Sequence, residues 1–445
     1  MTKNPGNPLL TRDELEAHWM AYTGNCQFKE DPRFIVGAEG AYYIDDKGRK
    51  VYDGLSGLWC SGLGHNRVEI ADAVNQQMRT LDYSPAFQFG HPLSFQLANK
   101  IKELTPADLD YVFFTGSGSE STETSLKIAR AYWRQKGQPA KTKLIGRIRG
   151  YHGVNFGGIS VGGIGANRKL FGTAVDADHL SHTLLPENTF TRGQPETGAE
   201  LANELLELIA LHDASNIAAV IVEPMAGSTG VIPPPVGYLN RLREICDAHD
   251  ILLIFDEVIT AFGRCGAMTG ADAYGVVPDI MNTAKQLTNG AIPMGAVVAK
   301  TEIYQTFMEQ GGPDYMLEFP HGYTYSAHPV ACAAGLAALN LLEQEELPAR
   351  VAQKAPYFEE QLHSLKGSPY LSDIRNHGFA GALQLEAYPG EPARRPYEIA
   401  MRMWEKGFYV RYGGDTIQMG LPFITENDEI DQLVEALAAS LRENT

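Results

Sequence analysis

The stretch ILLIFDEVITAFGRCG, residues 251–266, decides the fold class. Its first five residues are apolar, which is typical of a strand buried on both faces of a parallel sheet. Asp256 and Glu257 follow directly at the predicted strand end. Ligands bind beyond the carboxyl ends of parallel strands. The acidic pair is therefore either a structural cap or salt-bridge partner, or part of a ligand site.

The chain before this stretch completes a strand–helix–strand unit. The segment IAAVIVEP, residues 217–224, predicts a second buried strand, with Glu223 at its end. In residues 238–250, Leu239 and Leu242 recur at helical spacing between charged residues, which predicts an amphipathic helix. Strand-length apolar runs alternate with helical patterns elsewhere as well. The predicted fold class is α/β, with a mostly parallel central sheet covered by helices.

Composition excludes several classes of function. The formal charge of −17 argues against a surface for nucleic acid or anionic lipid, although a local pocket for a small anion remains compatible with it. The five cysteines are scattered and show no metal-ligand spacing, so we expect free thiols, no metal site and a reducing compartment. Neither a targeting segment nor a membrane span of about 18 apolar residues is present. We expect a cytoplasmic protein without membrane contacts.

Lys285, in NTAKQLTNG (282–290), also lies at a predicted strand end. A short extended segment precedes it, and a turn punctuated by Gly and Pro follows. A single lysine is usually a solvated surface residue. In a partly desolvated cleft, however, a lysine loses affinity for its proton and can form a Schiff base with an aldehyde.

The segment YVFFTGSGSESTETSLKIARAYW, residues 111–133, predicts a strand, a loop of small residues and a helix. Backbone N–H groups and the helix dipole at such a junction suit a phosphate group. The third glycine of a dinucleotide fingerprint is replaced by Ser121, and the chain has no Walker pattern. A tight turn without a ligand remains the alternative.

Taken together, these three features describe one cofactor. A phosphate at Ser117 to Ser119, an aldehyde at Lys285 and a ring nitrogen opposite Asp256 match pyridoxal 5'-phosphate. A carboxylate at the ring nitrogen keeps that nitrogen protonated, so the ring can accept electrons when a substrate proton leaves. This interpretation explains why an acidic residue ends a buried strand.

The motifs also carry a family resemblance, which covers roughly residues 15–440. The segments FDEVITAFGRCG, NTAKQLTNG, TGSGSEST, RGYHGVNFG and HGYTYSAHP together resemble the class III pyridoxal-phosphate aminotransferases of fold type I. The segments GLWCSGLGH, DYSPAFQFGHP and VRYGGDTIQMG are similar to the ω-amino acid:pyruvate (β-alanine:pyruvate) aminotransferase branch, the ω-transaminases.

The resemblance implies a set of cofactor residues, among which Lys285 and Asp256 are catalytic. Thr324 would reach the phosphate from the neighbouring subunit, Tyr151 would stack on the pyridine ring, and Val258 would pack on its other face. The full predicted cofactor set is Ser117, Gly118, Ser119, Tyr151, His152, Glu223, Asp256, Val258, Lys285 and Thr324.

The resemblance also implies a substrate pocket. Its predicted residues are Trp59, Phe87, Tyr151, Ala226 and Arg411. A guanidinium can bind a carboxylate through two parallel hydrogen bonds, and the glycines after Tyr412 would let Arg411 swing. A surface role is the alternative for this arginine. Two departures from the family pattern, Ala327 in place of glycine and GLPFIT (420–425), could move the pocket wall slightly.

The implied organisation has three parts. Residues 1–60 would contribute to a small domain and the active-site entrance, residues 61–325 would form the large cofactor-binding domain, and residues 326–445 would complete the small α+β domain. The family further implies a homodimer or a dimer of dimers, with active sites at the subunit interface.

The predicted activity is transfer of an amino group from an ω-amino acid or primary amine to pyruvate, giving alanine in a two-step ping-pong cycle. A pyridoxal-phosphate aminomutase, or a class III enzyme with another keto-acid acceptor, is the main alternative. A nicotinamide oxidoreductase would need the glycine that Ser121 replaces. A non-catalytic regulatory module would be expected to carry a DNA-binding segment, and the first 40 residues carry no DNA-binding pattern. The physiological donor stays open.

Overall fold

The computed structural model describes residues 10–444. The strands, in chain order, are β1 (Ile35–Glu39), β2 (Tyr42–Asp45), β3 (Lys50–Asp53), β4 (Leu109–Thr115), β5 (Lys143–Arg147), β6 (Ala177–Leu180), β7 (Ile217–Val222), β8 (Leu252–Asp256), β9 (Ile280–Thr283), β10 (Gly295–Lys300), β11 (Leu371–His377), β12 (Ala380–Leu385), β13 (Phe408–Tyr409), β14 (Arg411–Gly413) and β15 (Thr416–Gly420).

The α-helices connect and cover these strands. They are α1 (Arg12–Glu16), α2 (Asn25–Glu30), α3 (Ser56–Trp59), α4 (Val68–Thr80), α5 (Pro92–Leu104), α6 (Gly118–Gln135), α7 (Phe156–Val161), α8 (Gly165–Phe171), α9 (Glu204–His212), α10 (Tyr238–Ala248), α11 (Gly270–Tyr274), α12 (Thr301–Gln310), α13 (Pro329–Gln344), α14 (Leu347–His363), α15 (Arg394–Glu405) and α16 (Asn427–Arg442). Short 3-10 turns include Lys285–Thr288.

The central sheet has seven strands in the order β4-β10-β9-β8-β7-β5-β6. All neighbouring pairs are parallel except those of β10, which runs antiparallel to both β4 and β9. The predicted unit β7–α10–β8 is confirmed, with Ile221 opposite Ile254 in parallel register. The predicted α/β fold class with a mostly parallel sheet is therefore confirmed.

Alternate residues of the central strands pack on opposite layers of helices. In β7, Val220 and Val222 belong to the same buried cluster as α10, whereas Ala219 and Ile221 pack in the cluster that contains residues of α6. Every residue of β7 and β8 is buried, which explains their uninterrupted apolar sequences. The sheet, packed between two layers of helices, holds the carboxyl ends of its parallel strands at one edge.

The small α+β domain draws on both ends of the chain, as predicted. Its first sheet has the order β1-β2-β3-β13, in which β13 pairs in parallel with β3. A second sheet, β11-β12-β15-β14, is antiparallel. The helix α13, which follows the proposed boundary near residue 326, packs on α4 and α5. The domain boundaries themselves stay a prediction.

Between residues 10 and 444, no helix combines the length and the apolar character that a membrane crossing needs. The same residues contain no group of three or more His, Cys, Asp or Glu side chains placed to hold a metal ion. All five cysteines are free thiols, in agreement with the sequence interpretation.

Candidate active site

Asp256 ends β8 and points its carboxylate into a cavity at the edge of the sheet. The residue is only 5% exposed. One carboxylate oxygen lies 2.8 Å from Nδ1 of the buried His152, and the other accepts a hydrogen bond from the Val258 N–H at 3.2 Å. Because an imidazole N–H donates to it, the carboxylate is held in one orientation. Its rigidity suits a group that must face a cationic ring nitrogen.

The adjacent Glu257 has the structural role that the sequence left open for both acids. Its carboxylate accepts hydrogen bonds from the Ala271 N–H at 2.7 Å and from the Thr260 hydroxyl at 2.9 Å. It thereby anchors the start of α11, on the other side of the strand end. Burial raises the pKa of Glu257 to about 7, although these donors oppose the shift.

Lys285 follows β9 and begins a 3-10 turn with a φ of 40°, an uncommon backbone conformation for a residue with a side chain. Such strain persists where the surrounding structure imposes it, often at functional sites. Within residues 10–444, Nζ makes no hydrogen bond or ion pair. Burial lowers the pKa of Lys285, nearby Asp256 opposes this shift, and Arg411 adds to it. The neutral, nucleophilic amine is therefore more accessible than in a solvated lysine.

The predicted phosphate site, Ser117 to Ser119, forms a cup at the N-terminus of the 18-residue helix α6. The hydroxyl of Ser117 caps the helix by accepting from the Glu120 N–H at 3.2 Å. The first N–H groups of a helix have no intrahelical acceptor, so those of Gly118 and Ser119 are available to an anion. A Cβ at Gly118 would lie 2.9 Å from Val258 Cγ1, so a glycine lets the helix approach the strand end.

Tyr151 is positioned by Glu223, which ends the neighbouring strand. One oxygen of Glu223 accepts from the Tyr151 N–H at 2.9 Å, and the other accepts from the Gly227 N–H at 3.1 Å. Burial raises the pKa of Glu223. Gly153, with a φ of +92°, lets the loop that carries Tyr151 pack closely against Ser119. A Cβ at this position would lie 2.4 Å from Ser119 Oγ.

These elements enclose a cavity of about 300 Å³. Nine members of the predicted cofactor set line it: Ser117, Gly118, Ser119, Tyr151, His152, Glu223, Asp256, Val258 and Lys285. Sequence reasoning missed other lining residues, among them Thr288, Pro293 and Met294. The Gly/Pro turn after Lys285 was the available signal for the last two, because such a turn brings the chain back past the lysine.

A second cavity, of about 450 Å³, contains Arg411. The N-terminal segment and the small domain enclose it, and Tyr22, Tyr43 and Tyr409 are among its lining residues. Tyr22 lies close enough to Tyr151 to raise the pKa of its phenol, after the larger effect of burial. The two cavities are therefore neighbours. The aromatic residues of the N-terminal segment were the available signal for this wall.

Two of the predicted substrate residues are buried in the core. Trp59 is 2% exposed and packs so closely under Gly420 that a Cβ there would lie 2.5 Å from the indole ring. Ala226 is equally buried, and its backbone bridges to Ile232. Neither residue is among those lining the two cavities. Their contact with substrate stays a prediction.

Thr324 and Phe87 lie on a shared outer surface. Thr324 is exposed, and its carbonyl oxygen accepts from the Tyr83 hydroxyl at 3.0 Å. The ring of Phe87 lies against the neighbouring Gly322, where a Cβ would come within 2.6 Å of it, and Phe87 is 53% exposed. Within one subunit, the structure does not bring these two residues to either cavity.

The cavity around Lys285 fits pyridoxal phosphate. It combines an amine of lowered pKa that is unpaired among the described residues, an oriented carboxylate at Asp256 and a helix N-terminus whose N–H groups can bind an anion. Gly118 and Gly153 keep open the space that side chains would fill. An α/β fold with this edge site is typical of one class of enzymes that hold pyridoxal phosphate through a lysine.

The chain belongs to the class III aminotransferases, because the family model described as "Aminotransferase class-III" matches residues 26–441. It is 62% identical to the β-alanine–pyruvate aminotransferase of Pseudomonas aeruginosa, over 98% of each chain. It is 61% identical to the ω-amino acid–pyruvate aminotransferase of Pseudomonas putida, over 99% of each chain.

Among solved structures, the fold is similar to an amine transaminase from an uncultivated Pseudomonas species in its pyridoxal-phosphate-bound form. The TM-score is 0.89 at 35% identity, and the match covers 97% of this chain and 99% of the other. The predicted family, fold type and enzyme class are confirmed. The predicted cofactor is confirmed at the level of the family.

Proposed function

We propose that this enzyme transfers an amino group from an ω-amino acid or another primary amine to pyruvate, giving alanine. The observation that carries the proposal is the placement of Arg411 in the cavity beside Lys285, where neither side chain has an ion pair with any residue between 10 and 444. This pairing suits a substrate with a carboxylate near its reacting carbon. The activities named for the two Pseudomonas relatives support the same substrates.

When bound, pyridoxal phosphate supplies an aldehyde that condenses with amines and a ring that accepts electrons. Lys285 Nζ would anchor the aldehyde carbon, and the Asp256 carboxylate would keep the ring nitrogen protonated. His152 fixes the orientation of that carboxylate. The N–H groups of Gly118 and Ser119 would bind the phosphate, with Thr324 of the neighbouring subunit completing its shell.

Lys285 is also the proposed acid and base. With the cofactor bound and the lysine freed by the donor amine, Nζ would take the proton from the donor carbon, and in the second half-reaction it would deliver a proton to C2 of the keto acid. The lowered pKa favours the neutral form that the first of these steps requires. Tyr151 and Val258 would confine the ring between them.

Arg411 would bind the carboxylate of pyruvate, and Trp59, Phe87, Tyr151 and Ala226 would shape the pocket around it. A donor without a carboxylate needs the guanidinium to move, because an unpaired buried charge is costly. Arg411 is half-buried on the short edge strand β14, followed by Gly413 and Gly414. This placement allows the side chain to move toward solvent.

The active enzyme is proposed to be a cytoplasmic homodimer or dimer of dimers. Its support is a set of exposed large apolar side chains in residues 83–89 and 315–325, the two segments that carry Phe87 and Thr324, since extensive apolar exposure marks interaction surfaces. They include Tyr83, Phe87, Phe89, Tyr315, Met316, Leu317 and Tyr325. Pairing of this surface would bring Thr324 and Phe87 to the partner's cavity.

The test is the formation of alanine from pyruvate by the purified protein, with β-alanine and a panel of primary amines as donors. We expect alanine and the matching carbonyl product in equal amounts. Rearrangement of the donor without pyruvate would instead indicate an aminomutase. A preference for another keto acid would show that pyruvate is not the acceptor. Lys285→Ala should bind the cofactor and yet be inactive, so full turnover by this variant would contradict the mechanism.

A further inference from the structure

The cavity that contains Arg411 also contains a second arginine, Arg33. Of its lining residues within 10–444, none is Asp or Glu. The remaining wall is largely apolar or aromatic, and it includes Phe28, Met401 and Trp404. A cleft lined by one sign of charge with walls of low dielectric concentrates ions of the opposite sign. This cavity should therefore attract anions.

Arg33 has spare hydrogen-bonding capacity. It donates only to neutral acceptors, the Asp31 carbonyl at 3.2 Å and the Gln27 side-chain oxygen at 3.1 Å. It forms no ion pair with any residue that the structure describes. Its guanidinium rests 5.4 Å from the centre of the Phe28 ring. A guanidinium has five N–H donors, so this arginine can still bind a carboxylate.

A nearby arginine shows the contrasting arrangement. Arg49 lies 5.5 Å from the ring of Trp404, a residue of the cavity wall, but is not itself a lining residue. Its charge is paired with Asp45 at 3.1 Å. Of these two arginines stacked on aromatic rings, the one that lines the cavity has no acidic partner in the part of the chain that the structure describes. Arg49 therefore provides a matched control.

The two arginines of the cavity occupy different positions relative to the chemistry. Arg411 is close enough to Lys285 to contribute to its lowered pKa. Arg33 lies in the connection between α2 and β1, on the N-terminal wall of the cavity. A carboxylate close to the reacting carbon would meet Arg411. A carboxylate farther along an extended substrate would meet Arg33.

We propose that Arg33 binds a substrate carboxylate that is remote from the reacting carbon, as in an ω-amino acid longer than β-alanine. This inference rests on the proposed aminotransferase function and adds a determinant of chain length to it. The same charge disfavours a donor that ends in a second ammonium group. The enzyme should therefore prefer a long amino acid to a diamine of equal length.

The test compares kcat/KM for 6-aminohexanoate with kcat/KM for β-alanine, with pyruvate as acceptor, in the holoenzyme. In Arg33→Met, the ratio of the two values should fall at least tenfold. Arg33→Lys should recover part of it, because the charge remains while the planar fork is lost. In Arg49→Met, the ratio should stay within twofold of wild type. The wild type should also use 6-aminohexanoate at least tenfold better than 1,6-diaminohexane.

If Arg33→Met turns over too slowly for its kcat/KM values to be compared, inhibition by a substrate analogue still reports on carboxylate binding. Hexanoate, which has the remote carboxylate but no amine, should inhibit the wild type competitively, with an inhibition constant at least tenfold higher in Arg33→Met. A parallel series with 2-oxoglutarate as acceptor shows whether the carboxylate belongs to the donor or to the acceptor; a loss confined to 2-oxoglutarate would overturn the donor assignment.

The possible failures are distinguishable. A wild type that makes no alanine from β-alanine and pyruvate would defeat the proposed function itself. A wild type that makes alanine, but whose chain-length ratio and hexanoate inhibition do not change in Arg33→Met, would overturn the role of Arg33 alone. Equal losses in Arg33→Met and Arg49→Met would also overturn it, because they would show a general effect on the cavity wall.

Discussion

Replacing Arg411 with alanine should affect the two half-reactions unequally. The side chain is half-buried in the cavity beside Lys285. Truncating one partner of a buried, hydrogen-bonded charge pair costs 2 to 5 kcal/mol, and partial exposure places this site at the lower end. A loss of about 2 kcal/mol corresponds to roughly a 30-fold slower reaction with pyruvate. A donor without a carboxylate, such as 1-phenylethylamine, should lose only a few-fold.

The variant should also change the pH dependence of both steps. Arg411 contributes to lowering the pKa of Lys285, so its removal raises that pKa. At a given pH, less of the lysine is then neutral, and the alkaline rise in rate moves to higher pH. Arg411→Lys keeps the positive charge but not the planar fork. It should therefore retain the wild-type pH profile while still reacting slowly with pyruvate.

The two half-reactions can be followed separately by the absorbance of the cofactor in a stopped-flow instrument. Rates with pyruvate and with 1-phenylethylamine should be measured across the pH range for wild type, Arg411→Ala and Arg411→Lys. Equal losses with both substrates would refute the reasoning, because they would mean that Arg411 supports the pocket structurally. An unaffected pyruvate step would assign the carboxylate to another residue.

Three further substitutions test the surrounding structure. Asp256→Asn preserves an acceptor for His152 but removes the charge, and single-turnover deamination should slow at least 100-fold, comparable to the loss of other preorganised electrostatic groups. Ala327 has a φ of 53°, so Ala327→Gly should raise the melting temperature by about 1 °C and Ala327→Val should lower it, because left-handed backbone strains side chains; the opposite order would disprove that strain. The pKa of Glu257 is raised from 4.5 to about 7, so between these values the folded state keeps a proton that the unfolded chain releases, and stability falls as pH rises. Glu257→Gln should flatten this fall in thermal denaturation, whatever its effect on absolute stability, and an unchanged slope would exclude the shift.

Much of this molecule could be predicted from local sequence. The strands β7 and β8 are buried on both faces, so every position selects an apolar residue and leaves a continuous run. Asp256 ends one such run and Lys285 follows another short strand. A charged side chain is costly to bury, so its presence at these positions is a readable signal in the sequence. The cup at the N-terminus of α6 could be predicted because small residues at a strand-to-helix junction leave the backbone N–H groups open to a ligand.

Other features depend on contacts between distant segments and left no readable pattern. The antiparallel direction of β10 does not alter its apolar sequence, since an apolar run has no direction. The pairing of β13 with β3 uses backbone hydrogen bonds, which every residue type except proline can donate. Tertiary packing also put Trp59 under Gly420 in the core and separated the roles of the adjacent acids Asp256 and Glu257.

The sequence by itself determined the parts of this protein whose physics is local: the buried strands, the helix N-terminus that accepts an anion, and the charged groups at strand ends. The tertiary structure alone decided which distant groups share a cavity. Arg33 and Arg411 come from opposite ends of the chain, and each is an ordinary arginine in its own segment. Only folding places both against one apolar wall with no acidic partner among residues 10–444, because the electrostatics of a cavity depend on every element that lines it.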